Sequence, residues 1–306
     1  MKIFTLAPKE DWICDRLVSE WKESFPEYTT ENINDCDVIW LLAGWCWKHI
    51  PLEFLKSKKV IVTEHHVVPD KFTNQKYQNF MIRDQFVDHY HVPNKKTLHY
   101  ISQLTKKNIS VISYWLNDKI WKPKDKSLAR GILNIPFDDF CIGSFQRDTE
   151  GSDLISPKLE KGPDLFCDYV IREFGNRKNL NIVLGGWRRQ YVNNRLKKEN
   201  IKYTLFEKSS IETLVNLYAS CDLYIVASRY EGGPQAILEA SSMEIPIIST
   251  NVGIASSVLS SNCILDIEKD SYFPTKDDIN ICKINANKLK IESIGKEFIR
   301  LFESIL

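Results

Sequence analysis

The chain has 306 residues, more than one hydrophobic core usually serves, so we expect two domains of ordinary size. Its 41 Lys and Arg balance 40 Asp and Glu, and the net charge of +1 gives no whole-chain argument for binding nucleic acid. No apolar run approaches the roughly 20 residues that cross a bilayer, and the eight cysteines lack metal spacing, which favours a cytoplasmic protein with reduced thiols and no metal.

In the first part of the chain, short β-branched runs alternate with longer helical stretches, as in a parallel α/β sheet covered on both faces. The predicted strands are KIFTLA, DVIWLLA, KVIVTEH, HYHVP and ISVIS. The predicted helices are ICDRLVSEWKESF, PLEFLKSK and KKTLHYISQLT. After them, WKPKDKS at about residues 121–127 is typical of a linker.

Beyond this linker the same alternation restarts. Strands are predicted at FCIGSF, NLNIVLGG, IKYTLF, DLYIVAS and PIIST, and helices at GPDLFCDYVIREFG, YVNNRLKKEN, IETLVNLYASC and PQAILEASSM. The sequence therefore predicts two Rossmann-like, doubly wound parallel-sheet α/β domains that face a central cleft, at residues 1–122 and 123–290. Residues 291–306 are expected to form a C-terminal helix that packs back on the first domain.

The loop after the strand DLYIVAS has the features of an anion site. The strand ends at Ser228, and Gly232 and Gly233 let the backbone come close to a ligand. Pro234 fits the first position of the following helix, where its missing N–H costs nothing. Because free amides and the helix dipole attract anions, we expect a phosphate or diphosphate here.

Two glutamates accompany this loop. Glu231 lies in the loop itself, and Glu239 lies on a helix whose other side chains are mostly small or apolar. A carboxylate in such surroundings must be paired, hydrogen-bonded or in contact with water, and the hydroxyls of a sugar or ribose would satisfy it. The alternative is that Glu239 lies on a narrow exposed strip beside Ser242.

At these residues the sequence resembles the retaining nucleotide-sugar glycosyltransferases of glycosyltransferase family 4, which have the GT-B fold. The hallmark of that family is a Glu, seven residues and a second Glu, in the context S-R-Y-E-G-x-P-x-x-x-L-E-A. Here SRYEGGPQAILEASSMEIPIIST matches it almost throughout, with Glu231 first and Glu239 second.

The resemblance extends over the second part of the chain and implies roles for its residues. Arg147 and Lys161 would neutralise the donor diphosphate, with no metal and no cofactor required, and they would belong to a mobile surface loop if the resemblance did not hold. By the resemblance, Glu239 would bind the donor ribose and Glu231 the transferred sugar. Gly185 and Gly186, in NIVLGG, would line the cleft.

The first part of the chain resembles the family less closely. VIVTEHHVVPDKF is similar to a family strand ending in a His that reaches the transferred sugar, which would be His65; the alternative is an ordinary polar residue at a strand end. The usual Gly-rich loop after the first strand is replaced by APKEDWICD, which has no glycine. The acidic residue that the family often has after PIIST is also missing, although the amides from Gly253 to Ala255 could face the phosphates.

Three tryptophans are candidates for ligand contacts. Trp45 and Trp47 follow a predicted strand, where their rings could stack on a sugar acceptor or pack in the core. GGWRRQ places Trp187, Arg188 and Arg189 beside the predicted donor pocket, and a cation there would contact phosphate or only solvent.

The sequence therefore predicts a retaining glycosyltransferase that uses a UDP- or GDP-linked sugar and a hydroxyl acceptor on a glycan, lipid or small molecule. Basic runs such as Lys56, Lys58 and Lys59 are interpreted as solvated faces and leave room for a weak membrane-surface contact. Two alternatives stay open, a nucleotide-sugar epimerase of GT-B fold and a non-catalytic carbohydrate-binding homologue.

Overall fold

The computed structural model describes residues 1–10, 13–151 and 153–306. Asp11 and Trp12, which belong to the glycine-free segment after the first predicted strand, and Ser152 lie outside the described residues. The chain divides into two compact units. Unit 1 comprises Met1–Asn117 and Leu289–Leu306, and unit 2 comprises Asp118–Lys288.

Unit 1 contains a sheet of six parallel strands in the order β2-β1-β3-β4-β5-β6. Its central strands are buried, because helices cover both faces of a parallel sheet. The strands are β1 (Ile3–Thr5), β2 (Thr29–Thr30), β3 (Val38–Leu41), β4 (Lys59–Thr63), β5 (His89–Val92) and β6 (Asn108–Val111). The helices are α1 (Ile13–Ser24), α2 (Leu52–Ser57), α3 (Asn74–Asp84) and α4 (Lys95–Ile101).

Unit 2 contains five parallel strands in the order β11-β10-β7-β8-β9. The chain passes from β7 to β8 and β9 and then returns to β10 on the other side of β7, so the winding direction reverses between β7 and β10. The strands are β7 (Phe140–Phe145), β8 (Leu180–Gly185), β9 (Tyr203–Phe206), β10 (Leu223–Val226) and β11 (Ile247–Ser249). The helices are α5 (Lys126–Leu133), α6 (Pro163–Phe174), α7 (Gln190–Lys198), α8 (Ile211–Ser220), α9 (Gln235–Ser242), α10 (Ala255–Val258) and α11 (Lys276–Asn287).

The last helix, α12 (Ile291–Glu303), belongs to unit 1. It buries Phe298 and Phe302 in an aromatic cluster, with Phe298 at 4.8 Å from Trp40 and Phe302 at 5.6 Å from Trp21, centroid to centroid. Large aromatic side chains bury 150–250 Å² each and dominate the energetics of such a core. The chain after residue 288 is therefore an integral part of unit 1.

The predicted two parallel α/β sheets are confirmed, and residues 122–125 of the predicted linker belong to no helix or strand, but the two ends of that stretch do not fit a linker. Trp121 is 1% exposed, and α5 begins at Lys126 after a cap in which the Asp125 side chain accepts from the amide of Leu128. Arg130 holds α5 in place by donating to the carbonyl of Ser220. The polar residues at the end of this stretch therefore form the cap and first turn of a helix of unit 2.

All eight cysteines are buried and unpaired. Among residues 1–10, 13–151 and 153–306, no helix is long and apolar enough to cross a bilayer.

Candidate active site

The predicted donor-site residues of unit 2 gather at one edge of its sheet, where β7 and β10 end. In an open parallel sheet, ligands bind at the carboxyl ends of the strands where the winding direction reverses. The loops after β7 and β10 meet there, together with a short 3-10 helix at Leu159–Lys161. Gln146, directly after β7, donates from Nε2 to the carbonyl of Lys161 at 2.9 Å.

Lys161, Glu231 and Ser228 form a hydrogen-bonded group at this edge. Lys161 Nζ lies 2.5 Å from Glu231 Oε1, and Ser228 Oγ donates to the same oxygen at 3.2 Å. The side chain of Lys161 is 18% exposed and that of Glu231 is 13% exposed, whereas Ser228 is fully buried. Both charged groups are thus held in place and remain accessible to a ligand.

The backbone between residues 159 and 164 is tied to the loop after β10. The amide of Arg229 donates to the carbonyl of Glu160 at 2.9 Å, and the Arg229 guanidinium donates to both carboxylate oxygens of Asp164 at 2.7 and 2.6 Å. Burial opposes ionisation of Asp164, but the bonds from Arg229 outweigh it and lower the pKa of Asp164. This bidentate ion pair fixes the distance between the segment at residues 159–164 and the loop after β10.

Gly162 permits the close approach of these segments. Its φ of +59° lies in the left-handed region, and a Cβ built on it would lie 1.9 Å from the carbonyl oxygen of Ala227. Only glycine fits at this position, which follows Lys161 directly.

Two further cations lie near the Lys161–Glu231 pair. Arg147 follows β7 and donates from Nε to the carbonyl of Thr149 at 2.8 Å. The other is Lys158, whose pKa is lowered by burial, then by the charge of Lys161 and to a smaller extent by that of Arg147. Such crowded positive charge is stabilised by an anion. Lys158 was not predicted, although it lies three residues before Lys161 in PKLEKG.

Glu239, the second predicted glutamate, is buried in unit 2. It is 3% exposed on α9, and its Oε2 accepts from the hydroxyl of Tyr218 at 2.7 Å. Ser242 is also buried, with its hydroxyl donating to the carbonyl of Trp121. The alternative of a narrow exposed strip is therefore wrong, since the Glu239 carboxylate lies in the interior.

The loop from Gly232 to Pro234 leads into α9 as expected, with one difference. Pro234 has an extended ψ of 109° and is the N-cap, so the first helical residue is Gln235 and the prediction for Pro234 is wrong by one position. Gly233 is half-buried and Gly232 is buried. Gly253, with a φ of +53°, packs on this loop, because a Cβ there would lie 2.7 Å from the carbonyl oxygen of Gly232.

Arg189 is buried and bonds the backbone at the ends of β7 and β8. Its side chain is 0% exposed, and it bonds Asp148 Oδ2 at 2.9 Å and the carbonyls of Ser144 and Gly185. Burial raises the pKa of Asp148, and the charge of Arg189 offsets part of that rise. The expectation that Arg189 contacts phosphate or solvent is wrong, because its guanidinium satisfies the carbonyls at the ends of β7 and β8.

The two glycines after β8 differ in their surroundings. Gly185 is buried, and a Cβ on it would lie 2.9 Å from the ring of Phe145, so this glycine makes room for an aromatic side chain. Gly186 is half-buried with a φ of +103°. Beyond them, Trp187 is 43% exposed, and the Arg188 guanidinium lies 4.2 Å from its ring centre.

The structure places His65 in unit 1, after β4. Its Nε2 lies 2.7 Å from the carbonyl oxygen of Leu42 and its Nδ1 contacts the hydroxyl of Tyr114. Since a carbonyl only accepts, Nε2 carries a proton, and in the neutral imidazole Nδ1 accepts from the hydroxyl of Tyr114. Trp45 is 54% exposed beside this imidazole, with ring centres 5.9 Å apart, whereas Trp47 is core and stacks on Phe86.

Within the described ranges, no group of three or more His, Cys, Asp or Glu side chains has the arrangement of a metal site.

Residues 154–273 match a family model described as glycosyl transferases group 1. This segment carries Lys158, Lys161, Glu231 and Glu239, so the residues gathered at the edge of unit 2 fall largely inside the matched region. None of the curated proteins matches the chain in sequence.

Solved structures with a similar fold cover nearly the whole chain. A structure of Anabaena Alr3699/HepE in complex with UDP and glucose has a TM-score of 0.76 and 13% identity, covering 99% of this chain and 100% of that one. Sucrose-phosphate synthase from Thermosynechococcus elongatus has a TM-score of 0.68 and 17% identity, with 95% and 77% coverage. A glycosyltransferase from Rickettsia africae has a TM-score of 0.59 and 15% identity, with 98% and 83% coverage. Together with the two parallel sheets, these matches identify the fold as GT-B.

Proposed function

We propose that the protein is a retaining glycosyltransferase of family 4 that moves a sugar from a nucleoside diphosphate donor to a hydroxyl acceptor. The observation that carries the proposal is the Lys161–Glu231–Ser228 group at the point where the unit 2 sheet reverses its winding. Two further cations, Arg147 and Lys158, lie near this group. An anion with an attached sugar matches both the positive charge and the carboxylate.

The donor diphosphate is assigned to the cations. When the bond between the sugar and the phosphate breaks, negative charge grows on the leaving diphosphate. Fixed cations stabilise this charge more in the transition state than in the ground state, which accelerates the reaction without requiring a metal. In the proposal, Lys161 and Arg147 bind the diphosphate, and Lys158 adds to the positive field.

The two glutamates are assigned to the sugars of the donor. Glu231 forms an ion pair with Lys161. A bound diphosphate would draw the ammonium of Lys161 toward phosphate, so that the Glu231 carboxylate could accept hydrogen bonds from the hydroxyls of the transferred sugar. Glu239 is assigned to the ribose. The HepE structure, which contains UDP and glucose, supports a UDP-linked sugar as the first donor to test.

Retention at the anomeric carbon follows if the new bond forms on the face that the diphosphate leaves. A diphosphate oxygen then takes the proton of the acceptor hydroxyl, and no protein base is needed at that position. Acceptor recognition is assigned to unit 1, where the exposed ring of Trp45 offers an apolar face to a sugar. Residence in the cytoplasm is part of the same proposal.

Nucleotide release and the anomeric configuration of the product test this function together. The protein is incubated with UDP-, GDP- or ADP-glucose and a set of methyl glycoside acceptors, and released nucleoside diphosphate is measured. We expect release that depends on an acceptor, with retention seen by NMR. Glu231→Ala and Lys161→Ala should each reduce turnover by roughly 100-fold or more, because each removes a charge at the reacting centre.

Lys283→Ala is the matched control. Lys283 forms an exposed ion pair with Glu244 in the same unit, also at 2.5 Å, so its loss should leave turnover unchanged. Conversion of the donor sugar without any acceptor would identify an epimerase instead. Binding of the nucleotide-sugar with no release of nucleoside diphosphate under any condition would identify a non-catalytic carbohydrate-binding homologue. Either result would overturn the proposal.

A further inference from the structure

A buried tyrosine connects the end of β7 to Glu239. Tyr218, on α8, donates its hydroxyl to Glu239 Oε2 at 2.7 Å, and its ring packs on that of Phe145, the last residue of β7, with ring centres 4.8 Å apart. Beside it, the amide of Phe145 donates to the hydroxyl of Tyr224 at 3.0 Å. Tyr218 is 1% exposed and Tyr224 is 2% exposed, so these contacts lie in the interior of unit 2.

The direction of the bond to Glu239 is determined. A phenol has one proton, and that of Tyr218 goes to a carboxylate that only accepts. The bond is therefore charge-assisted, which makes it stronger than a hydrogen bond between neutral groups.

Burial keeps the protons on the tyrosines. It raises the pKa of Tyr218 and of Tyr224, and the negative charge of Glu239 raises both further. The proton of the bond between Tyr218 and Glu239 therefore stays on the phenol.

Gly143 makes space for the packing of three aromatic rings. The rings of Phe145, Tyr218 and Tyr224 pack against one another with centroid distances of 4.8, 5.0 and 5.1 Å. A Cβ on Gly143, in the middle of β7, would lie 2.9 Å from the ring of Tyr224. Gly143 therefore lets Tyr224 lie across β7 and direct its hydroxyl at the amide of Phe145.

We propose that Tyr218 is a positioning residue that sets the Glu239 carboxylate for the ribose of the donor, an assignment that rests on the proposed function. Tyr218 connects Glu239 on α9 to Phe145, which ends β7 and is followed by Gln146 and Arg147. The carboxylate for the ribose and the cation for the diphosphate are thereby held in one register. Such fixed geometry determines how well a group recognises vicinal hydroxyls.

The test measures how well the protein distinguishes a nucleotide that has the 2′- and 3′-hydroxyls of its ribose from a nucleotide that lacks them. Affinities for UDP, GDP and ADP are measured by calorimetry, each beside its 2′,3′-dideoxy counterpart. The ratio of the two affinities is the ribose discrimination. For the nucleotide that binds best, Glu239→Ala should abolish it, and Tyr218→Phe should reduce it by roughly tenfold, the value of one charge-assisted hydrogen bond.

Tyr169→Phe is the control, since it removes another buried hydroxyl of unit 2, one that donates to the carbonyl of Tyr272. It should leave the discrimination unchanged.

The outcomes separate the two proposals. Wild-type protein that binds none of the nucleoside diphosphates would overturn the proposed function and this assignment with it. Wild-type discrimination that Glu239→Ala abolishes, but that Tyr218→Phe leaves intact while lowering the melting temperature, would overturn the positioning role alone.

Discussion

Replacement of Gly162 by Ala should damage both the stability of unit 2 and its candidate site. Gly162 has a φ of +59°, where a side chain costs about 1–2 kcal/mol. The new Cβ would also lie 1.9 Å from the carbonyl oxygen of Ala227, and this contact must open to at least 3.0 Å. Both partners are backbone, so no flexible side chain can yield. With about 1–3 kcal/mol for the forced shift, the free energy of unfolding should fall by about 2–5 kcal/mol.

The same shift should impair turnover beyond the loss of folded protein. Ala227 precedes Ser228, whose hydroxyl bonds Glu231, so moving this carbonyl displaces the group that contains Lys161. Misplacement of about 1 Å costs roughly 100-fold in rate. Urea denaturation followed by tryptophan fluorescence measures the stability, and nucleotide release at a temperature where the variant is folded measures the activity.

Gly131→Ala is the control for Gly162→Ala. An added Cβ at Gly131, inside α5, meets nothing within 4 Å, so this change should stabilise the protein by about 0.5–1 kcal/mol without affecting turnover. A Gly162→Ala variant with wild-type stability and turnover would refute the reasoning.

Three further predictions concern buried residues that stabilise unit 1 or unit 2. Arg189→Ala leaves Asp148 buried and unpaired, so urea denaturation should show a loss of about 3–5 kcal/mol; a loss under 1 kcal/mol would contradict this. Phe298→Ala should cost unit 1 about 3–5 kcal/mol by the same measurement, and a negligible loss would show that the aromatic cluster is not its core. Burial opposes ionisation of Asp278, but bonds from three hydroxyls outweigh it and lower its pKa below 3.8. The resulting stability is present above about pH 4 and is lost as pH falls, so Asp278→Asn should show a shallower decline of melting temperature below pH 4, and parallel curves would contradict it.

The parallel sheets could be predicted because buried parallel strands are almost continuously apolar. DVIWLLA contains β3, and DLYIVAS contains β10, whose four residues are all buried. The loop after β10 could be located for a different reason, since its glycines, proline and two acids have few uses other than approach to a ligand. The meeting of Lys161 with Glu231, 70 positions away, came only from the resemblance to a family.

Residues that act through burial could not be predicted. Arg189 lies among polar residues in GGWRRQ, where an arginine is usually exposed. Only the fold shows that it donates to carbonyls at the ends of two strands. Tyr218 lies in an apolar run, where a tyrosine looks like any core aromatic. Its hydroxyl acquires a role only because α8 and α9 converge, and no local pattern indicates such a convergence. Helix α5 was missed since its cap and charges resemble those of a linker.

The most direct test of the account is the dependence of ligand affinity on phosphate charge. Calorimetry compares UDP, UMP and uridine, and the GDP and ADP series in parallel, on wild-type protein and on Lys161→Ala. We predict that wild-type affinity rises from nucleoside to monophosphate to diphosphate, and that Lys161→Ala removes most of the gain from the second phosphate. Equal affinity for the diphosphate and the nucleoside in every series, or a gain that Lys161→Ala leaves intact, would contradict a diphosphate bound by these cations.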